Sequence, residues 1–163
     1  MEICDLKINK KRKGYHRAID FISIVIIVAI ATDTFLSLGN IPNSVPTHFE
    51  LDGILGGYVS NKFFIFTYSI ISIVALIICN FFAHVTKKSK RVVELLEKEQ
   101  KIKLIFMKVL ALELVIIFSS MQFMVTRAVL NGNNSINGMI SLILGSIAMI
   151  TVCMFKFKIK KCS

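Results

Sequence analysis

Between two long apolar runs lies a polar stretch with recognisable chemistry: Ile41-Pro42-Asn43-Ser44-Val45-Pro46-Thr47-His48-Phe49-Glu50-Leu51-Asp52-Gly53, running on through Gly56-Gly57-Tyr58-Val59-Ser60-Asn61-Lys62. It holds both prolines of the chain, one histidine, two carboxylates and three glycines. Pro42 and Pro46 each push the preceding residue toward extended backbone. Thr47–Asp52 is therefore expected to run extended, with His48, Glu50 and Asp52 on one side. Such a row offers nitrogen and oxygen ligands of the kind that hold a divalent cation, yet its spacing matches no zinc signature, so no metal or cofactor is assigned. Gly53, Gly56 and Gly57 permit turns that a β-carbon would block. Ser60 is placed to cap the following helix, and Lys62 to reach a polar boundary at its start. Two readings of the loop stand together: a tightly folded plug over a bundle mouth, or a recognition surface.

A second set of polar residues sits inside apolar runs, where each charge costs about 2.5–3.5 kcal/mol on insertion scales. These are Asp33, Glu113 and Arg127. Glu113, Ser120 and Arg127 recur at seven-residue steps and share one stripe, expected to face other helices. Asp33 and Arg127 either pair between helices or both reach headgroups. Glu113 has no basic partner at its depth, where Ala29, Ser72 and Ser146 fall. It is an ion or proton site, or a protonated side chain tying helices together. Lys108 is read as snorkelling to the nearer surface. The chain shows no Ser/His/Asp or Cys/His set, no HExxH and no glycine-rich phosphate loop, so an enzyme is not expected.

The elements that must position these residues follow from hydropathy. The 163 residues are 55% apolar, with a mean hydropathy of +0.70. The apolar residues come in four blocks, about 18–38, 63–83, 104–126 and 138–155. About twenty helical residues cross a hydrocarbon core of ~30 Å. The fourth block is short and relies on Lys156 and Lys158 to snorkel. The expected fold is an all-α membrane protein: a single integral membrane domain over 1–163, a four-transmembrane-helix bundle with an extracytoplasmic loop at 39–62 between helices 1 and 2. A cleaved signal peptide ending near Ala29-Ile30-Ala31 is the alternative for the first block. The apolar run continues to Leu38, which favours an uncleaved span. Gly138, Ser141, Gly145 and Ala148, and separately Ala75, Cys79 and Ala83, form small-residue ridges suited to close helix approach.

The net charge of +10 is not a nucleic-acid signature, because of where the charge lies. Of twenty Lys and Arg, six precede Ala18, seven lie between Lys87 and Lys103, and four follow Phe155. These seventeen flank apolar blocks, the pattern of the positive-inside bias, with lipid headgroups as counter-charge. Both termini and the basic amphipathic segment 87–103 are thereby placed in the cytoplasm, and the loops at 39–62 and 131–137 outside. Within Lys90–Lys103 an apolar face of Val92, Val93, Leu95 and Leu96, with Glu94 four residues before Lys98, predicts a helix. It is either an extension of the third span or a helix lying on the headgroups. Asn133-Asn134-Ser135 matches a glycosylation sequon but is read as a turn. Cys4, Cys79, Cys153 and Cys162 form no CxxC pair and support no metal or redox motif.

The order Pro42, Val45-Pro46-x-His48-Phe49, Gly53, Tyr58, Ser60, Lys62, between one span and the next, resembles the bacterial multipass membrane domain of unknown function that opens SdpI-type immunity proteins. Glu50 stands where that family usually has asparagine, and Asn61 splits its Ser-Lys pair. The resemblance implies a multipass protein of the bacterial cytoplasmic membrane that protects the cell from a secreted peptide toxin. It also implies a cytoplasmic repressor as partner, for which 87–103 is the docking candidate. The recognition residues it implies are Pro42, Pro46, His48, Phe49, Gly53, Tyr58, Ser60 and Lys62. A small transporter or channel using Asp33 and Glu113 is the competing reading.

Overall fold

The computed structural model describes residues 2–50, 53–88, 94–136 and 138–162, and among them the side chains of 15–48, 50, 53–85, 102–136 and 143–157. Four helices account for most of it: α1 (Glu2–Ser37), α2 (Thr67–Lys88), α3 (Glu94–Leu130) and α4 (Gly138–Cys162). Three helical stretches are long and apolar enough to cross a membrane: Tyr15–Ser37 in α1, Lys62–Val85, which begins in the turn just ahead of α2, and Ile102–Leu130 in α3, of 23, 24 and 29 residues. The apolar part of α4, Ile143–Phe157, is shorter. None of these stretches contains proline, and a helix satisfies every interior backbone group within its own segment. Only 17%, 28% and 22% of the three long apolar windows is buried within the protein. Phe21, Val28 and Phe35 on α1 and Ile70, Ile77 and Phe81 on α2 point outward. A water-soluble fold would bury side chains of this kind or gather them into a small patch.

α3 is the hub: α1, α2 and α4 all pack on it. Ile27, Leu76, Cys79, Ala111 and Val115 form an apolar layer among α1, α2 and α3. The ridge expected on α2 is in place, with Cys79 and Ala83 both buried. On α4 the expected ridge makes no close contact at Gly145, where a β-carbon would meet nothing within 4 Å. The surroundings of Gly138 and the side chain of Ser141 lie outside the described residues. α4 is held instead by Phe155 against Phe106, ring centroids 4.9 Å apart.

α3 runs unbroken from Glu94 into its apolar stretch. Of the two readings of the basic segment, the helical extension therefore holds for Glu94–Lys103. Val92 and Val93 lie outside the described residues, as do the side chains of 94–101, including Leu95 and Leu96.

The connection between α1 and α2, expected as a polar loop, adds a short strand pair to a mostly helical protein. It contains a β-hairpin, β1 (Val45–Phe49) antiparallel to β2 (Leu55–Val59), followed by a 3₁₀ turn over Lys62–Phe66 that leads into α2. Asn61, not Ser60, caps that turn: its Oδ1 accepts from the Phe63 N–H at 3.0 Å. Asn61 has the extended backbone an N-cap requires (φ −151°, ψ 103°), while Ser60 is one residue too early and is exposed.

Candidate functional site

The hairpin pairs Val45 with Val59, Pro46 with Tyr58, His48 with Gly56 and Phe49 with Leu55. Cross-strand pairs share a face, so Val45, Leu55 and Val59 lie on one side and Pro46, His48 and Tyr58 on the other. The first side builds a core. Val45 and Leu55 join Ile41, Ile65, Val125, Ala128 and Ile136, and Val59 packs against them. The other side presents His48 and Tyr58 to the surroundings, Tyr58 being 56% exposed, while Pro46 is buried. Pro42 and Ser60 are exposed. The side chain of Phe49 lies outside the described residues.

At the hairpin tip the Gly53 N–H donates to the Glu50 carbonyl and the Glu50 N–H to the Ile54 carbonyl, both at 2.9 Å. Gly53 has φ 87°, a backbone state that side chains disfavour. Glu50 thus closes a turn, and the expected ligand row of His48, Glu50 and Asp52 does not extend past it; Asp52 itself lies outside the described residues. Among the described residues no group of three His, Cys, Asp or Glu side chains gathers as a metal site would need.

The His48 ring lies across β2. Its Nδ1 is 3.1 Å from the Thr47 hydroxyl, and that hydroxyl donates to the Gly57 carbonyl. A β-carbon added at Gly57, where φ is +56°, would come within 2.5 Å of the imidazole Cε1. The paired glycines therefore do more than turn the chain: they make room for an imidazole. Thr47 was invisible as a site residue because its role depends on a partner ten residues away.

The hairpin is anchored on a second side. The Leu55 N–H donates to the Asn134 carbonyl at 2.9 Å and the Ile136 N–H to the Gly53 carbonyl at 2.8 Å, bridging Ile54 to Ser135. The Asn133-Asn134-Ser135 stretch, read as a turn, lends its backbone to the hairpin edge. Lys62 completes the frame. Its ammonium donates to the Leu38 carbonyl at 3.2 Å, meeting the negative end of α1 rather than only a polar boundary.

Below the hairpin the polar side chains fall into layers. Arg127 Nη2 donates to Asp33 Oδ1 at 2.7 Å, and its guanidinium stacks 5.0 Å from the Phe123 ring centroid. One turn deeper, Gln122 links three helices. Its amide donates to Thr34 Oγ1 at 2.9 Å and its carbonyl accepts from Ser69 at 2.5 Å. The Thr126 hydroxyl donates to the Gln122 backbone carbonyl at 2.7 Å. Glu113 accepts from Thr151 of α4 at 2.7 Å, a partner not anticipated among Ala29, Ser72 and Ser146. Its other oxygen is buried without a hydrogen bond. The Glu113–Ser120–Arg127 stripe therefore serves two neighbours, α4 at one end and α1 at the other. The Ser120 hydroxyl turns back to the Ile117 carbonyl at 2.8 Å.

Lys108 corrects the snorkelling expectation. It is 8% exposed, and its ammonium forms an ion pair with Asp20 at 2.5 Å and donates to the Asn80 side-chain carbonyl. The polar partners sit one on each neighbouring helix at the depth of Lys108. Capturing them satisfies the ammonium without a reach to the surface. Asp20 and Asn80 carried a signal, each being a polar residue within an apolar run.

No family model, no curated protein and no solved structure matches the chain.

Proposed function

We propose that the chain is an integral protein of the bacterial cytoplasmic membrane, of SdpI-like type, which recognises a secreted peptide toxin through the α1–α2 hairpin and confers immunity to it or senses it. In this reading four helices span the bilayer, α4 with help from its flanking lysines, and both termini lie in the cytoplasm. The lysine-rich residues flanking the apolar stretches support that orientation. The hairpin and the 131–137 loop then face outward. The basic segment 87–103 faces inward, where a repressor can dock.

One observation carries the recognition reading: the hairpin is fixed on two sides, by its buried Val45–Leu55 face and by the Ile54–Ser135 bridge, while His48 and Tyr58 stay exposed on the opposite face. A surface held in place before binding loses little ordering entropy when a partner arrives. The plug and recognition readings thus describe two faces of one element. The transport reading is weaker. Asp20 and Asp33 are each paired with a cation on α3, and the layer of Ile27, Leu76, Ala111 and Val115 lies between the two pairs. A path for ions needs polar groups that hand over from one to the next.

Survival of cells expressing the chain, exposed to peptides secreted by the strain it comes from, tests the proposal. His48→Ala and Tyr58→Ala are expected to lose protection, and Glu113→Gln to keep it. Protection that survives both hairpin changes and fails with Glu113→Gln would transfer the function to the intramembrane acid.

A further inference from the structure

The end of the molecule far from the hairpin holds a cleft of about 510 Å³ that the recognition reading does not use. It is lined from three helices: His16 and Arg17 on α1, Asn80 and His84 on α2, and Lys108 on α3. Lys108 and Asn80 form a fixed floor. Asn80 Nδ2 donates to the Leu76 carbonyl at 3.0 Å while its side-chain carbonyl accepts from Lys108. The carboxylate facing this floor is Asp20, and Lys108 neutralises it. Arg17, His16 and His84 also line the cleft, and no described carboxylate pairs with Arg17.

We infer that this cleft binds the phosphate of an anionic phospholipid headgroup. The chemistry shared with any phosphate is clear: a guanidinium offers two parallel N–H donors to phosphate oxygens, and imidazoles add single donors. Size and position select the lipid. The volume falls within the range of small-molecule sites, roughly 300–1,000 Å³, far more than one phosphate fills. The apolar stretches begin at Tyr15 and Ile102 and end at Val85, so the cleft opens within the first turns of the apolar zone. Leu104 and Ala83 line its wall, and Phe82 and Ile105, each next in sequence to one of these, are exposed. The inference needs the membrane reading and is independent of what the hairpin recognises.

Native mass spectrometry of the detergent-purified full chain, titrated with phosphatidylglycerol or phosphatidylcholine, tests it. Phosphatidylglycerol should be retained in preference to phosphatidylcholine, and a large excess of inorganic phosphate should not displace it. Arg17→Gln should weaken retention about fivefold, as expected for removing one cation near a headgroup. His84→Gln should weaken it less, and Arg17→Lys should restore most of it. Lys156→Gln, an exposed cation away from the cleft, and His48→Ala in the hairpin should leave it unchanged. Should Arg17→Gln not fold, as a melting curve would reveal, His84→Gln decides. Equal retention of the two lipids, or an equal loss with Lys156→Gln, overturns the site. Displacement by inorganic phosphate alone overturns the lipid assignment.

Discussion

Asp33 of α1 and Arg127 of α3 meet at 2.7 Å near the hairpin end of the helices, with side chains 35% and 45% exposed. That exposure limits what the pair contributes, since partly solvated ion pairs give about 0.5–1 kcal/mol. Geometry raises the cost of breaking it from one side, because Asp33 Oδ2 is buried without a hydrogen bond and Oδ1 would lose its bond to Arg127. Asp33→Arg and Arg127→Asp should each lower the melting temperature in detergent. The double exchange should recover most of the loss. A double variant no better than the worse single one would show that the two side chains do not stabilise each other.

Lys108 and Asp20 behave differently because the ammonium is enclosed. Removing one partner of a fully buried pair costs about 3–5 kcal/mol. The Asp20 side chain is 31% exposed, so Lys108→Met should cost less, about 2–3 kcal/mol. Lys108→Met with Asp20→Asn should cost less than Lys108→Met alone, since no charge is left stranded. A thermodynamic cycle on the four proteins measures the coupling, and strict additivity would contradict the buried pair.

The helices were legible from hydropathy because each apolar run is a property of its own segment. The Asp33–Arg127 pair was legible only as one of two readings, since two charges near the same end of their helices can also each reach headgroups. Other features depend on distant residues and have no local signature. The strands are five residues each, one with a proline and one with a Gly-Gly pair, and these residues weaken a strand pattern. The hairpin is stable because Val45 and Leu55 find Val125 and Ala128 on α3. Lys108 has no local sign of enclosure, because the groups that take its hydrogen bonds, Asp20 and Asn80, lie 88 and 28 residues away. Gln122 could have been found as the one amide in the third apolar run, but its role as a three-helix link could not.

Gly57 is expected to be the least replaceable residue of β2. Its φ of +56° disfavours any L side chain by about 1–2 kcal/mol. A β-carbon there would also collide with His48 and with the Thr47 hydroxyl, each within 2.7 Å. Gly57→Ala should therefore speed amide exchange across the hairpin and displace the His48 ring, read as a shift of its NMR signals. Adding His48→Ala should recover the imidazole's share of the steric loss, but neither the Thr47 collision nor the backbone part. Gly39, with nothing within 4 Å of an added β-carbon, should accept alanine with little change.

Ile54 and Ser135 occupy a non-hydrogen-bonded antiparallel position, because the flanking bonds run from Leu55 to Asn134 and from Ile136 to Gly53. At such a position the Cα atoms stand about 4.5 Å apart, within the range a disulfide accepts. Ile54→Cys with Ser135→Cys should cross-link under mild oxidation, and the shifted band should vanish on reduction. Both positions are exposed, so the substitutions remove little packing. Because the bridge joins the α1–α2 connection to the α3–α4 connection, the link should raise the melting temperature and slow hairpin exchange. Each cysteine alone should do neither. Absence of the cross-link in a folded double variant would mean that the two connections are not held together, and the hairpin would lose one of its two anchors. If the oxidant cannot cross the bilayer, cross-linking in intact cells also places this end of the molecule outside, whereas cross-linking only after lysis would place it inside and reverse the proposed orientation.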